Sequence, residues 1–265
     1  MVEASGDVRR HPRKRVVYWV TFWIVMLLIS SLILSLAGVV FVGTSVGLGI
    51  SSKSWGGYTV TSSILNPQPT VMGVSGSWVV PRVSVSPTDT FSAVWLGIGG
   101  QFEKSLIQVG TEQDSVNGST YYLAWYELLP DYSVTINTVK IAAGDAISAS
   151  IAIVDSASNL WSISIKDETN GQHFQQNVHY ASSMLSAEWI VERPTVGNEV
   201  TSLALFGQVT FTNLSAKIGN VAKGIDSFTF LKVTMRDSQN NPLVSVSAFS
   251  GQSSSSFNVN YLKSS

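Results

Sequence analysis

From Trp55 to the C-terminus, apolar and polar residues alternate with a period of two. No other feature constrains the fold as strongly. Trp161-Ser162-Ile163-Ser164-Ile165, the run from Ser148 to Ile153 and the run from Leu243 to Ser247 are clear cases. Successive side chains of a strand point to opposite faces, so each such run can bury one face and wet the other. Turn signals separate the runs: Asn66-Pro67, Asn117-Gly118, Asn170-Gly171 and Asn240-Asn241-Pro242. No long window shows helical periodicity, and no internal repeat is visible. Residues 55–265 are therefore predicted to form one all-β domain of roughly a dozen or more short antiparallel strands, a sandwich or a barrel. About 210 residues is an ordinary size for such a domain, enough to bury a core without disulfides.

A different pattern precedes it. From Val16 to Val42 the chain carries no charge. As a helix, these residues would span about 40 Å, against about 30 Å of hydrocarbon in a bilayer. Trp19 and Trp23 lie near the first end, where interfacial aromatics belong. Arg9, Arg10, Arg13, Lys14 and Arg15 stand just before the run. This arrangement predicts a basic cytoplasmic tail (1–15), a transmembrane signal-anchor helix (16–42), a Gly/Ser-rich tether (43–54) and an extracellular domain (55–265) on a single-pass protein of the cell membrane. Ser35-Leu36-Ala37 resembles a signal cleavage site, but the apolar run is too long for a signal core and continues past it. Gly43-Thr44-Ser45-Val46-Gly47 matches the G-x-S-x-G elbow, which requires a strand before it and a helix after it. The pattern here supplies neither.

Composition narrows the chemistry. Only 12% of the 265 residues are charged, and 16 Lys+Arg oppose 17 Asp+Glu, so no basic face for nucleic acid is expected. Setting aside the five basic residues and two acidic ones (Glu3, Asp7) before the apolar run leaves the rest of the chain with 11 basic against 15 acidic residues. There are no cysteines, which excludes disulfides, thiol nucleophiles and Cys-ligated metals. The three histidines are His11, in the basic tail, and His173 and His179, in a polar strand-like stretch. No metal or cofactor is expected. Neither D-[TS]-G nor H-E-x-x-H nor a Gly-rich phosphate loop occurs.

Three segments set polar groups into apolar strands: Ala93 to Gly100 with Ser105 to Gly110, Leu123 to Pro130, and Ser186 to Glu192. Alternation puts Leu106 with Gln108 on one face, Trp125 with Glu127, and Glu188 with Ile190 and Glu192. Alternation alone leaves two readings open, a ligand cleft or a wet sheet face. Trp78, Trp161 and Trp189 read as core.

These residues carry a resemblance. Ser54-Trp55-Gly56-Gly57-Tyr58, Val74 to Pro81, Trp95 to Gln108, Ala124-Trp125-Tyr126-Glu127, Ala187-Glu188-Trp189-Ile190-Val191-Glu192 and Phe206 to Asn213 occur in the order seen in the glutamic peptidases, the eqolisin family of acid endopeptidases. The match runs from about Trp55 to Tyr261. It implies a sandwich of two large antiparallel sheets, of concanavalin or jelly-roll type, with a concave groove for protein or peptide substrates. It also implies a catalytic pair on Gln108 and Glu188, and groove residues on Trp55, Trp95, Trp125 and Glu127. The pattern departs at Gly99, where the family carries aspartate, and at Leu123, Leu128 and Leu129, which replace an acid and two aromatics. The family's cysteines are missing.

The implied chemistry suits acid. A glutamate of ordinary pKa near 4.3 populates both protonation states around pH 3–4, where histidine is protonated and useless as a base. Glu188 would take a proton from water and deliver it to the leaving amine, while the Gln108 amide donates to the oxyanion. Glu192, on the same face, is the second candidate acid. Two rivals stand beside this reading: a non-catalytic surface module binding peptide or glycan in an aromatic groove, and a glycoside hydrolase using Glu188 with Glu127. The ectodomain is expected to be monomeric.

Overall fold

A computed structural model describes residues 39–42, 45–196, 199–250 and 256–264. In chain order the strands are β1 (Val39–Val42), β2 (Ser45–Ser52), β3 (Trp55–Thr61), β4 (Val71–Val79), β5 (Ala93–Gly99), β6 (Leu106–Val116), β7 (Ser119–Leu128), β8 (Val134–Thr135), β9 (Ala146–Asp155) and β10 (Leu160–Asp167). They continue with β11 (His173–His179), β12 (Ser186–Glu192), β13 (Thr195–Val196), β14 (Glu199–Val200), β15 (Gln208–Ile218), β16 (Val221–Lys223), β17 (Thr229–Met235), β18 (Val244–Val246) and β19 (Phe257–Tyr261). One 3-10 turn, Ile225–Ser227, is the only helical element among the described residues. A nine-stranded sheet runs in the order β1-β2-β17-β3-β12-β5-β6-β7-β8. An eight-stranded sheet runs β11-β10-β9-β4-β15-β19-β18, with β16 beside β15. The all-β sandwich expected from the alternation is what the chain forms.

The eight-stranded sheet follows its sequence pattern literally. In β9 and β10, Ile147, Ala149, Ile151, Trp161, Ile163 and Ile165 are buried, while the serines between them face outward. Trp78, Trp161 and Trp189 fill the space between the sheets, and each indole N–H has an acceptor: Thr111 Oγ1 at 3.1 Å, the Tyr180 carbonyl at 3.0 Å and the Ser75 carbonyl at 2.9 Å. A ring of this size removes about 150–250 Å² from water, on the order of 4–6 kcal/mol gross. Gly76 makes room for one of them, since a Cβ there would stand 3.0 Å from the Trp189 indole. The hairpin between β6 and β7 closes through Asn117 and Gly118, both at positive φ (50° and 71°), as the Asn-Gly signal predicts. His173 and His179 lie exposed on the edge strand β11.

The N-terminal boundaries differ from the sequence expectation. Residues 45–52, assigned to a tether, form β2, which pairs in parallel with β17 from Gly47↔Phe230 to Ser52↔Met235. Gly47 is required by packing: a Cβ there would fall 2.1 Å from the Phe230 ring. Ser45 opens this strand and no helix follows it, so the G-x-S-x-G match is not an elbow. Val39–Val42, the last four residues of the apolar run, are a strand rather than a helix end. The remainder of the expected anchor, and the basic tail, lie outside the described residues. No helix among the described residues is long and apolar enough to cross a membrane.

The nine-stranded sheet breaks the half-wet rule. Every residue of β5 is buried, and β12 is buried from Ser186 to Val191. A strand without a wet face has something packed on both sides. Here the second covering is a separate apolar cluster of Ala93, Trp95, Leu106, Trp125 and Ile190, with Trp55 against it.

Candidate active site

That outer face is built as three lateral rows of residues brought abreast by strand register. The first runs Thr59, Glu188, Gly97, Gln108, Glu127 across β3, β12, β5, β6 and β7. The second runs Gly57, Ile190, Trp95, Gly110, Trp125, and the third Trp55, Glu192, Ala93, Glu112, Leu123. All six residues singled out from the sequence thus fall on one face within three adjacent rows. The cleft reading of the alternation is the one the fold realises.

A cavity of about 490 Å³ opens on this face, lined by Trp55, Gln108, Glu112, Trp125, Glu127 and Glu192 among others. No basic side chain lines it. Gln108 is 4% exposed, and its Nε2 donates to Glu127 Oε2 at 2.5 Å. Its Oε1 has no hydrogen-bond donor, nor has Trp125 Nε1 an acceptor. Trp95 Nε1 donates to Glu192 Oε2 at 2.7 Å, and Trp55 meets Trp95 edge to face at 5.1 Å.

Glu188 sits apart from this cavity. It has no solvent exposure, it does not line the cavity, and neither carboxyl oxygen accepts a well-formed hydrogen bond, the nearby Ser186 hydroxyl and Gln101 amide being poorly placed. Adjacent strands lie about 4.8 Å apart, so its Cα is about 10 Å from that of Gln108, with Gly97 between. The space above Gly97 is occupied. A Cβ there would stand 2.9 Å from Leu106 Cδ1 and 3.0 Å from Trp95 Cζ3. Leu106 and the Trp95 ring therefore separate the two side chains in this arrangement.

The electrostatics follow from carboxyls placed under cover without cations. Burial raises Glu188 well above the ordinary carboxylate range, and the Ser186 hydroxyl and Gln101 backbone amide offset only part of that. Burial pushes Glu192 up to about 7 against the hydrogen bonds from Trp95 and Trp55, with Glu127 and Glu112 adding repulsion. Burial also raises Glu127, opposed by the Gln108 bond, and Glu112. Asp114, two residues beyond Glu112 on the same face, is raised to about 8 by burial and then by the Glu112 charge. The expectation that Glu188 titrates near pH 3–4 rested on an ordinary pKa and does not hold for the buried carboxyl. Among the described residues no group of three or more His, Cys, Asp or Glu is arranged to hold a metal ion.

Sequence reasoning singled out neither Glu112 nor Asp114, and gave Leu106 no role beyond sharing a face with Gln108. The signal for the first two was present: Gln108, Gly110, Glu112 and Asp114 are spaced two apart in β6 and share its outer face. Leu106 carried no such signal, because its reach over Gly97 and Gly100 depends on the packed sheet.

The architecture is a two-sheet sandwich with a carboxyl-lined, aromatic cleft on one outer face, and comparison with known proteins gives its family. The sequence pattern of the peptidase A4 family matches residues 53–261. The chain belongs to this family, the eqolisins. Aspergillopepsin-2 of Aspergillus niger is 32% identical over 166 residues, which cover 61% of this chain and 57% of that protein. The chain thus spans little more than half the length of that relative. The crystal structure of scytalido-glutamic peptidase with a transition state analog inhibitor superposes with a TM-score of 0.67 at 22% identity, over 80% of this chain and 99% of the other. Aspergilloglutamic peptidase from Aspergillus niger gives 0.57 at 28% identity, over 65% of this chain and 99% of the other.

Proposed function

We propose that this protein is an acid endopeptidase in which Glu188 manages the protons of a hydrolytic water and Gln108 stabilises the oxyanion. The supporting observation is the first lateral row: Glu188 and Gln108 flank Gly97, the one position between them with no side chain of its own. Access requires Leu106 to turn aside as substrate enters. Glu188 then meets water and the Gln108 amide, both donors, and the penalty on its charged form falls. The carboxylate takes a proton as the water oxygen attacks the scissile carbonyl carbon. The oxyanion accepts a hydrogen bond from Gln108 Nε2. Glu188 returns its proton to the nitrogen as the C–N bond breaks, releasing acid and amine and restoring the carboxylate. Loss of one such oxyanion donor costs about 2.7–4 kcal/mol of transition-state stabilisation.

The glycosidase rival fares worse. Glu127 is three strand steps from Glu188, with Gln108 between them and bound to its carboxyl. The deciding experiment incubates the purified protein with denatured protein at about pH 2–5, beside a panel of polysaccharides, using wild type and Glu188→Gln. Peptide cleavage that disappears in a folded Glu188→Gln variant is the expected result. Full activity in that variant, or cleavage of glycan only, overturns the assignment.

We propose further that the N-terminal run anchors the domain outside the cell membrane. With β1 beginning at Val39, residues 16–38 remain, and as a helix they would still span about 35 Å. Retention of the full chain in membranes after alkaline carbonate washing supports the anchor, and its release into the wash overturns it.

A further inference from the structure

Gln108 shares its row with two carboxyls, Glu127 beside it and Glu188 beyond Gly97, and its amide has two different ends. Glu127 lies directly opposite on β7 and takes the N–H end at 2.5 Å. The amide oxygen is left without a donor, on a residue that lines the cavity and is 4% exposed. Whichever end turns toward Glu127, the other turns away from β7. We propose that Glu127 is the positioning residue of Gln108, its carboxyl deciding which end of the amide turns toward Gly97 and the Glu188 side of the row. The idea rests on the proposed role of Gln108 in the peptidase reaction.

The physical basis is the donor and acceptor inventory. An ionised carboxylate only accepts, so it must take the Gln108 N–H, which turns Oε1 toward the Gly97 side of the row. A protonated carboxyl can donate its O–H to Oε1, which frees the NH2 to face an oxyanion. Protonating Glu127 therefore turns the amide into its stabilising orientation, and ionising Glu127 draws it back. The surroundings favour the protonated form. The groups acting on Glu127 are Glu112 from β6 and Glu192 from β12, both acidic. β8, paired on the other side of β7, brings Val134 and Thr135, which carry no charge. Acid activity would then come from the positioning carboxyl as well as from Glu188.

The test compares wild type, Glu127→Gln and Glu127→Leu in the whole protein. In Glu127→Gln an amide NH2 is available to Gln108 Oε1 at every pH, so the decline of kcat toward neutrality should move up by about one pH unit or more, with KM within about twofold. In Glu127→Leu nothing holds the amide, and kcat should fall about 10- to 100-fold. The Gln108 side-chain NH2 resonance, assigned by its loss in Gln108→Leu, should titrate in wild type and not in Glu127→Gln. An unchanged kcat profile in Glu127→Gln, or an NH2 signal that titrates identically in both proteins, overturns the proposal. The two readings fail separately. An active Glu188→Gln sinks the peptidase assignment, whereas an inactive one beside an unaltered Glu127→Gln sinks only the positioning role.

Discussion

Glu192 and Glu112 face one another across Ala93, a residue too small to shield either carboxyl from the other. Both line the cavity, and the charge of Glu112 adds to the burial that holds Glu192 near 7. Their neighbour Asp114 is raised to about 8. In the unfolded chain these groups release their protons near pH 4, whereas the folded protein retains them. The contribution to stability is therefore fully present in acid and is lost as pH rises through the folded values of about 7 and 8. Each retained proton weakens the fold by up to about 1.4 kcal/mol per pH unit across that window. Urea midpoints measured from about pH 4 to about pH 8 should fall steadily, and Asp114→Asn should flatten the upper part of the decline. A midpoint independent of pH would contradict this.

Trp95→Phe removes the N–H that Glu192 accepts. That bond favours the charged form, so its loss should push the Glu192 carboxyl above its present value of about 7. At alkaline pH, where Glu192 is charged, the variant should lose about 1.5–3 kcal/mol of stability. Carbon-13 titration of the carboxyl checks the direction.

Gly97→Ala should be costly although it adds one methyl group. The new Cβ would lie 3.0 Å from the Ile107 carbonyl oxygen, which belongs to the paired strand and cannot move aside, and 2.9 Å from Leu106 Cδ1. A loss of about 1–3 kcal/mol in denaturant unfolding is expected. Peptidase activity should fall as well, since the methyl group would stand between Gln108 and Glu188.

A chain shortened to begin at Trp55 should be less stable than one beginning at Val39. The first lacks β2, the parallel partner of β17, and bares Phe230, which is fully buried beside Gly47. Exposing a phenylalanine costs about 1.5–3 kcal/mol, and an open β17 edge invites association. Thermal unfolding with light scattering distinguishes the two proteins.

Much of this arrangement was legible in residue order. The alternation in β9, β10 and β12 assigned Ile151, Ile163 and Trp189 to the interior, and it placed Glu188, Ile190 and Glu192 on a common face. It could not identify β2, because Ser45–Ser52 reads as a flexible Gly/Ser stretch until Phe230, some 180 residues later, is seen to require Gly47 beneath its ring. The six candidate residues were singled out through the order of several motifs, which says nothing about what lies between them.

Local sequence determined the period of each strand, the turns at Asn117-Gly118 and the absence of thiols, because these depend on neighbours along the chain. Tertiary structure alone decided that Glu188 lies dry while Gln108 lines the cavity, that Leu106 and Trp95 fill the space over Gly97, and that Gln108 leans on Glu127. Side chains from four different strands meet there. Their protonation depends on burial and on one another's charge, quantities that exist only once the sheet has brought them together.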